Sequence, residues 1–166
     1  MGAATSLTSL RLSWAEDTSL EYDDMEGFSE QLAKLKELCC LKLSCLPLRL
    51  SAHHLSHLTR LTSLELCSCE LRDFVVVALS CKLKNLQRLS LDNNNALTDS
   101  CTPSLGQLTR LSHLNLHGMA IERLGLMQLT TLRQLQDLHI STRASSYKCL
   151  ANFWSALRAG RDAVRA

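Results

Sequence analysis

The sequence predicts an α/β solenoid. It should have a curved parallel β-sheet on a concave face, helical or irregular segments on the convex side, and a helix capping the C-terminal end. Three observations carry this. The frame L-x-x-L-x-L-x-x-[N/C]-x-L occurs six times in the 166 residues. Its L-x-L step has a period of two, which belongs to strands; a helix needs 3.6. The copies recur about every two dozen residues, within the roughly 20–29 expected of a short stacking unit. Composition agrees: hydrophobic residues make up 46% of the chain but aromatics only 4%, so the core must be aliphatic.

The copies run in order along the chain. The first is Leu7, Leu10, Leu12. The second is Leu38, Leu41, Leu43, completed by Leu46 and Leu48. The third, Leu61, Leu64, Leu66, Cys69 and Leu71, fills every position. Leu86, Leu89, Leu91 and Asn94 form the fourth, and Leu111, Leu114, Leu116, Met119 and Ile121 the fifth. Leu135, Leu138 and Ile140 form the sixth. Starts are therefore 31, 23, 25, 25 and 24 residues apart. Leu35, Leu58, Leu83, Leu108 and Leu132 extend the frame backwards, each three residues ahead of a start. In each L-x-L both leucines point into the core and the intervening residue points out. One copy cannot bury its leucine face alone, so successive strands must pair in parallel and stack.

The ninth position of the frame normally turns a polar side chain inward to bond the loop backbone. Asn94 and Cys69 fit that role; Leu46, Met119 and Arg143 do not, so other groups must satisfy those turns. The first interval is about seven residues too long. Its excess, residues 16–27, holds the acidic run Glu16, Asp17, Glu21, Asp23, Asp24 and Glu26. Such a run is expected as a solvated convex loop, with docking of a basic partner as the alternative. Phe28, Leu32, Leu35 and Leu38 then form a helix-like stripe.

The solenoid is expected over residues 1–145 and a helical cap over 146–166. In the latter, Leu150, Phe153, Trp154 and Leu157 fall at i, i+3, i+4, i+7. Open solenoid ends need such covers. A truncated further repeat or a partner-binding helix is the alternative. At the other end Leu7 enters the frame at once, which points to a fragment or a longer parent chain.

On these residues the chain resembles the leucine-rich-repeat superfamily over roughly residues 7–145. The stretch after Leu89 is similar to plant-type repeats of the form L-T-G-x-I-P-x-x-L-G-x-L. Leu97-Thr98, Pro103, Leu105-Gly106 and Leu108 match, with Thr102 at the isoleucine and Asp99 at the glycine. The resemblance implies a curved right-handed solenoid and, usually, protein recognition; the fold itself serves many functions.

The outward strand positions line the concave face. They are Ser9, Arg11 and Ser13; Cys40, Lys42 and Ser44; Ser63, Glu65 and Cys67; Arg88, Ser90 and Asp92; His113, Asn115 and His117; Asp137, His139 and Ser141. Of these, Lys42, Glu65, Arg88, Asp92, His113, Asn115, His117, Asp137 and His139 are the expected partner-binding residues. Mixed charges and imidazoles suit a folded protein surface. The set lacks the many cations and stacking aromatics that nucleic acid requires.

His113, His117 and His139 also raise a metal site. However, four residues of extended strand span roughly 13 Å, too far for His113 and His117 to share one ion. Histidines as pH-sensitive contacts are the expectation. His53, His54 and His57 lack the glutamate of H-E-x-x-H and are read as solvent-facing convex residues. The cysteines contain no C-x-x-C pair; Cys69 reads as a core residue, and Cys40 and Cys67 as exposed thiols. No phosphate-binding glycine loop, G-x-S-x-G or paired-carboxylate site is found, so no enzyme, cofactor or metal is expected.

The net charge of +2 is too small to imply nucleic acid or a membrane surface. No run of 18 apolar residues and no secretory signal is visible. Eight cysteines without such a signal read as reduced thiols in a cytoplasmic protein. The start Met1-Gly2-Ala3-Ala4-Thr5-Ser6 fits the permissive myristoylation pattern, but Leu7 leaves almost no tether. The expected function is an interaction scaffold, as a monomer or within a larger chain. The alternatives are a regulatory module of a receptor, ubiquitin-ligase adaptor or immune-type protein of plant or algal kind; an axonemal or cytoskeletal repeat protein; and a metal-binding enzyme at the histidine face.

Overall fold

A computed structural model of the chain describes residues 6–14, 23–119, 121–141 and 147–165. The N-terminal hexapeptide pattern through Thr5, acidic residues 16–22 and Arg143 lie outside the described residues.

The six L-x-L steps form six strands: β1 (Ser9–Ser13), β2 (Cys40–Ser44), β3 (Ser63–Cys67), β4 (Arg88–Ser90), β5 (His113–Leu116) and β6 (Asp137–Ile140). They make one parallel sheet in sequence order, β1-β2-β3-β4-β5-β6. Register follows the frame: Leu10 pairs with Leu41, Leu41 with Leu64, Leu64 with Leu89, Leu89 with Leu114, and Leu114 with Leu138. A one-residue slip would turn every leucine outward, so burial fixes the register.

Each strand begins the same way. One carbonyl of the preceding repeat accepts two successive amides. Thr8 accepts from Cys39 and Cys40, Cys39 from Thr62 and Ser63, Thr62 from Gln87 and Arg88, Gln87 from Ser112 and His113, and Ser112 from Gln136 and Asp137. Upstream leucines close a second periodic set: the amides of Leu61, Leu86, Leu111 and Leu135 donate to the carbonyls of Leu58, Leu83, Leu108 and Leu132.

Strand exit is also repeated. Cys45, Ser68, Asn93 and Gly118 all have positive φ, at 58°, 53°, 57° and 78°. The left-handed conformation turns the chain off the sheet, and only the fourth repeat-end has the residue that adopts it freely. At Gly118 a Cβ would also sit 3.0–3.2 Å from Asn93.

The convex side carries α1 (Asp23–Leu32), the 3₁₀ segment Ser51–His57, α2 (Asp73–Lys82), the short α3 (Thr102–Leu105) and α4 (Arg123–Gln128). Helices pack about 8–10 Å apart and strands about 4.8 Å apart, so the strand side is the inner, concave one. The expected acidic loop is corrected here. Its second half, from Asp23, is the first turn of α1, because Met25 and Leu32 bury against the core and Ser29 Oγ bonds Ser51 Oγ at 3.2 Å. From Asp23 to Leu32 the interval is therefore a helix of the convex layer.

Side-chain hydrogen bonds also tie repeats together. Asn94 is fully buried. Its Oδ1 accepts from Cys69 N (3.0 Å) and Leu71 N (3.1 Å), and its Nδ2 donates to the Leu66 and Leu91 carbonyls (2.7 and 2.8 Å). Cys69 lies inward as expected, its thiol donating to the Leu43 and Cys67 carbonyls. Leu46 and Met119 fill the ninth position as buried apolar residues. On the convex side, Asp73 accepts from the amide and hydroxyl of Thr98 (2.8 and 2.7 Å). Asp99, where the plant-type pattern has glycine, accepts from the Glu122 and Gly125 amides one repeat on (2.9 and 3.2 Å).

The last element is α5 (Tyr147–Arg165). Phe153 and Leu157 are fully buried, and Leu150 and Trp154 pack against the same core. Phe153 and Trp154 meet edge to face at 5.1 Å. Arg161 donates to the carbonyls of Arg133 and Leu135, satisfying acceptors at the start of the sixth repeat.

Asn94→Ala removes a side chain that satisfies four buried backbone groups. Each orphaned group costs about 1–3 kcal/mol. Urea denaturation should show a loss of at least about 2 kcal/mol; a change under about 0.5 kcal/mol would mean the turn does not depend on it.

Candidate functional site: the outward face of the sheet

Strand pleating and register order the outward residues into rows. The first is Ser9, Cys40, Ser63, Arg88, His113, Asp137. The second is Arg11, Lys42, Glu65, Ser90, Asn115, His139. The third begins Ser13, Ser44, Cys67. Asp92 and His117 follow β4 and β5 at the strand exits, where the Asp92 carbonyl accepts from Ser68 N and the His117 carbonyl from Asn93 N. Ser141 receives Gly118 N on its hydroxyl at 2.6 Å. The sheet thus brings all nine expected residues to one surface.

These residues group into three sets. Lys42 Nζ and Glu65 Oε2 form an ion pair of 2.6 Å across β2 and β3. His117 Nδ1 lies 3.1 Å from Asp92 Oδ1, and the Asn115 carboxamide accepts from His117 N at 3.0 Å. Asp137 stands between two imidazoles, with His113 Nε2 4.0 Å from one oxygen and His139 Nε2 3.8 Å from the other. The three concave histidines are therefore divided between two carboxylates. Arg88 is exposed in the first row, between Ser63 and His113.

Charge runs along the face. Arg11 and Lys42 lie toward β1, Asp92 and Asp137 toward β6. Three fixed cations (Arg11, Lys42, Arg88) face three fixed anions (Glu65, Asp92, Asp137). Such a balanced polar array makes directional contacts without a strong net field. The pairs are solvated, so they contribute little to folding stability and are free to exchange partners.

The thiols divide by burial. None of the eight cysteines, all among the described residues, is in a disulfide. Cys40 and Cys67 are half-buried rather than exposed, because neighbouring strands crowd their flanks. Burial raises the Cys67 thiol pKa, against a lowering hydrogen bond from Ser90. Burial pushes Cys69 and Cys101 up to about 12, with Asp73 adding to the rise at Cys101. Neither is available as a thiolate nucleophile or metal ligand near neutral pH.

The reading of all three convex histidines as solvent-facing holds for His53 and His57, whereas His54 is half-buried. His53 and His57 lie in a 3₁₀ segment, where three residues make a turn, so the i, i+4 pair does not share a face. His54 Nε2 instead contacts Glu26 Oε1 of α1 at 2.7 Å. No spacing rule links residues 28 positions apart, and only the stacking of α1 on the next convex segment joins them.

The stacked strands, periodic turns and inward leucines define a repeat solenoid. Its fold is that of the leucine-rich-repeat proteins. An internalin C2 of Listeria monocytogenes is similar at 23% identity and a TM-score of 0.56, over 81% of this chain and 71% of that one. An internalin of the same organism, inlF, is similar at 18% identity and a TM-score of 0.58, over 90% of this chain and 46% of that one. The chain thus spans less than half of the second. No family model and no curated protein matches the chain. Among the described residues, no helix is long and apolar enough to cross a membrane.

Thiol titration under native conditions at about pH 8 should modify exposed Cys81 first, with Cys69 and Cys101 reacting only on unfolding. Uniform reaction of all eight in the native protein would contradict the burial pattern.

Proposed function

We propose that this chain is a protein-interaction scaffold whose partner, a folded protein, seats on the concave face across β2 to β6. One observation carries the reading: the register sets Lys42, Glu65, Arg88, His113, Asn115, Asp137 and His139 side by side on a packed sheet, with Asp92 and His117 at its rim. Parallel strands hold these groups at fixed spacing, so little ordering entropy opposes docking. Balanced charge favours a protein surface over a polyanion. The leucine-rich-repeat fold is compatible with this use, and cysteines outside any disulfide fit a reducing, cytoplasmic setting.

The test is affinity capture followed by mass spectrometry, repeated with Glu65→Lys, Asn115→Arg and His139→Glu combined. The partner held by the wild type should bind the triple variant at least about thirtyfold more weakly. Circular dichroism should be unchanged, and a convex control, Lys84→Glu, should keep full binding. Retention by the triple variant, or loss in the control, would place the site elsewhere.

A further inference from the structure

We propose that Glu26, His53 and His54 form a binding site for a divalent first-row transition ion, of which zinc is the representative. One ligand atom from each residue lies within 4.8 Å of the other two. His54 Nε2 and Glu26 Oε1 are already 2.7 Å apart. The two imidazoles lie with ring centroids 4.0 Å apart and planes inclined at 36°. Zinc bonds of about 2.0–2.2 Å set tetrahedral donors roughly 3.4 Å apart, so the His54–Glu26 pair opens slightly and the wider separations close by at most about 1.4 Å. Glu26 and His53 are exposed at the ends of their side chains, so small rotations close the set.

The second shell is also in place. His53 Nδ1 lies 2.9 Å from the Leu50 carbonyl. A carbonyl oxygen only accepts, so Nδ1 carries the proton and the neutral ring's lone pair is on Nε2. This is how metal-binding histidines are usually oriented. Two imidazoles and one carboxylate suit zinc, nickel or cobalt rather than calcium or magnesium, which prefer all-oxygen sets. Three protein donors leave a fourth position to water.

The site also has a structural meaning. Glu26 stands in the first turn of α1, and the histidines stand on the 3₁₀ segment of the next convex layer. Besides His54–Glu26, a side-chain bond between Ser29 and Ser51 joins these segments. A bound ion would clamp the start of α1, which lies within the long first interval, onto the next convex segment.

Cobalt titration of the purified chain distinguishes this site from the cysteines. The expected result is one ion per chain, with visible d–d absorption but no thiolate-to-cobalt charge-transfer band. Zinc should compete for the same site and raise the Tm. Affinity should fall in His53→Ala, His54→Ala and Glu26→Gln by more than the roughly tenfold of an outer-shell change. His57→Ala should leave it unchanged. Circular dichroism verifies each fold, and His54→Gln replaces His54→Ala if the half-buried ring proves necessary for packing. A thiolate band, equal affinity in the His53→Ala/His54→Ala double variant, or no binding at micromolar metal would overturn the site.

Discussion

The structure depends on leucines that meet no water because the next turn of chain covers them. Leu41, Leu64, Leu89 and Leu114 form one file through β2 to β5, and Leu43, Leu66, Leu91 and Leu116 a second; all are buried. Full burial of one such side chain is worth about 1.5–3 kcal/mol, and only a neighbouring repeat provides it. The outermost strands of the sheet are less fully covered. In β1, Leu10 is half-buried and Leu12 is 37% exposed. In β6, Leu138 and Ile140 are also half-buried, although α5 follows and places Phe153 and Leu157 in the core.

The same constraint produces the outward polar face. An inward leucine at every second strand position forces the intervening side chain outward, and parallel register aligns those side chains into rows. The rows stay aligned because each repeat leaves the sheet at the same place. Cys45, Ser68, Asn93 and Gly118 share one left-handed turn, and Asn94 locks two successive exits with a single carboxamide. The polar face is thus a consequence of core packing, and its residues are free to vary without disturbing the fold. That separation is what lets one scaffold present many binding surfaces.

Much of this was legible in the sequence. The L-x-L step fixed all six strands and the membership of the concave face, because a two-residue period determines side-chain direction by itself. The Leu150–Leu157 stripe located α5 for a similar reason. What escaped notice depended on neighbours in space. The acidic run looked like a loop because its charges dominate locally, yet Met25 and Leu32 draw it into α1. Asp99 looked like a departure from a glycine, whereas its carboxylate caps amides one repeat away. Arg161 carried no signal of its own, since its acceptors belong to Arg133 and Leu135. The Glu26–His54 contact joins two convex layers that no local pattern connects. Local periodicity reads out the strands, while contacts between repeats remain hidden until the repeats are stacked.

Native-state hydrogen exchange tests the central claim most directly. If each coil of chain shields the next, the amides of Cys69, Leu71, Arg88 and Leu91 in the interior repeats should exchange only with global unfolding, within about 1 kcal/mol of its free energy. Amides of β1 at the sheet edge should open more readily. Exchange of the interior strand amides as fast as those at the chain ends, or protection confined to the convex helices, would contradict a leucine-sealed solenoid.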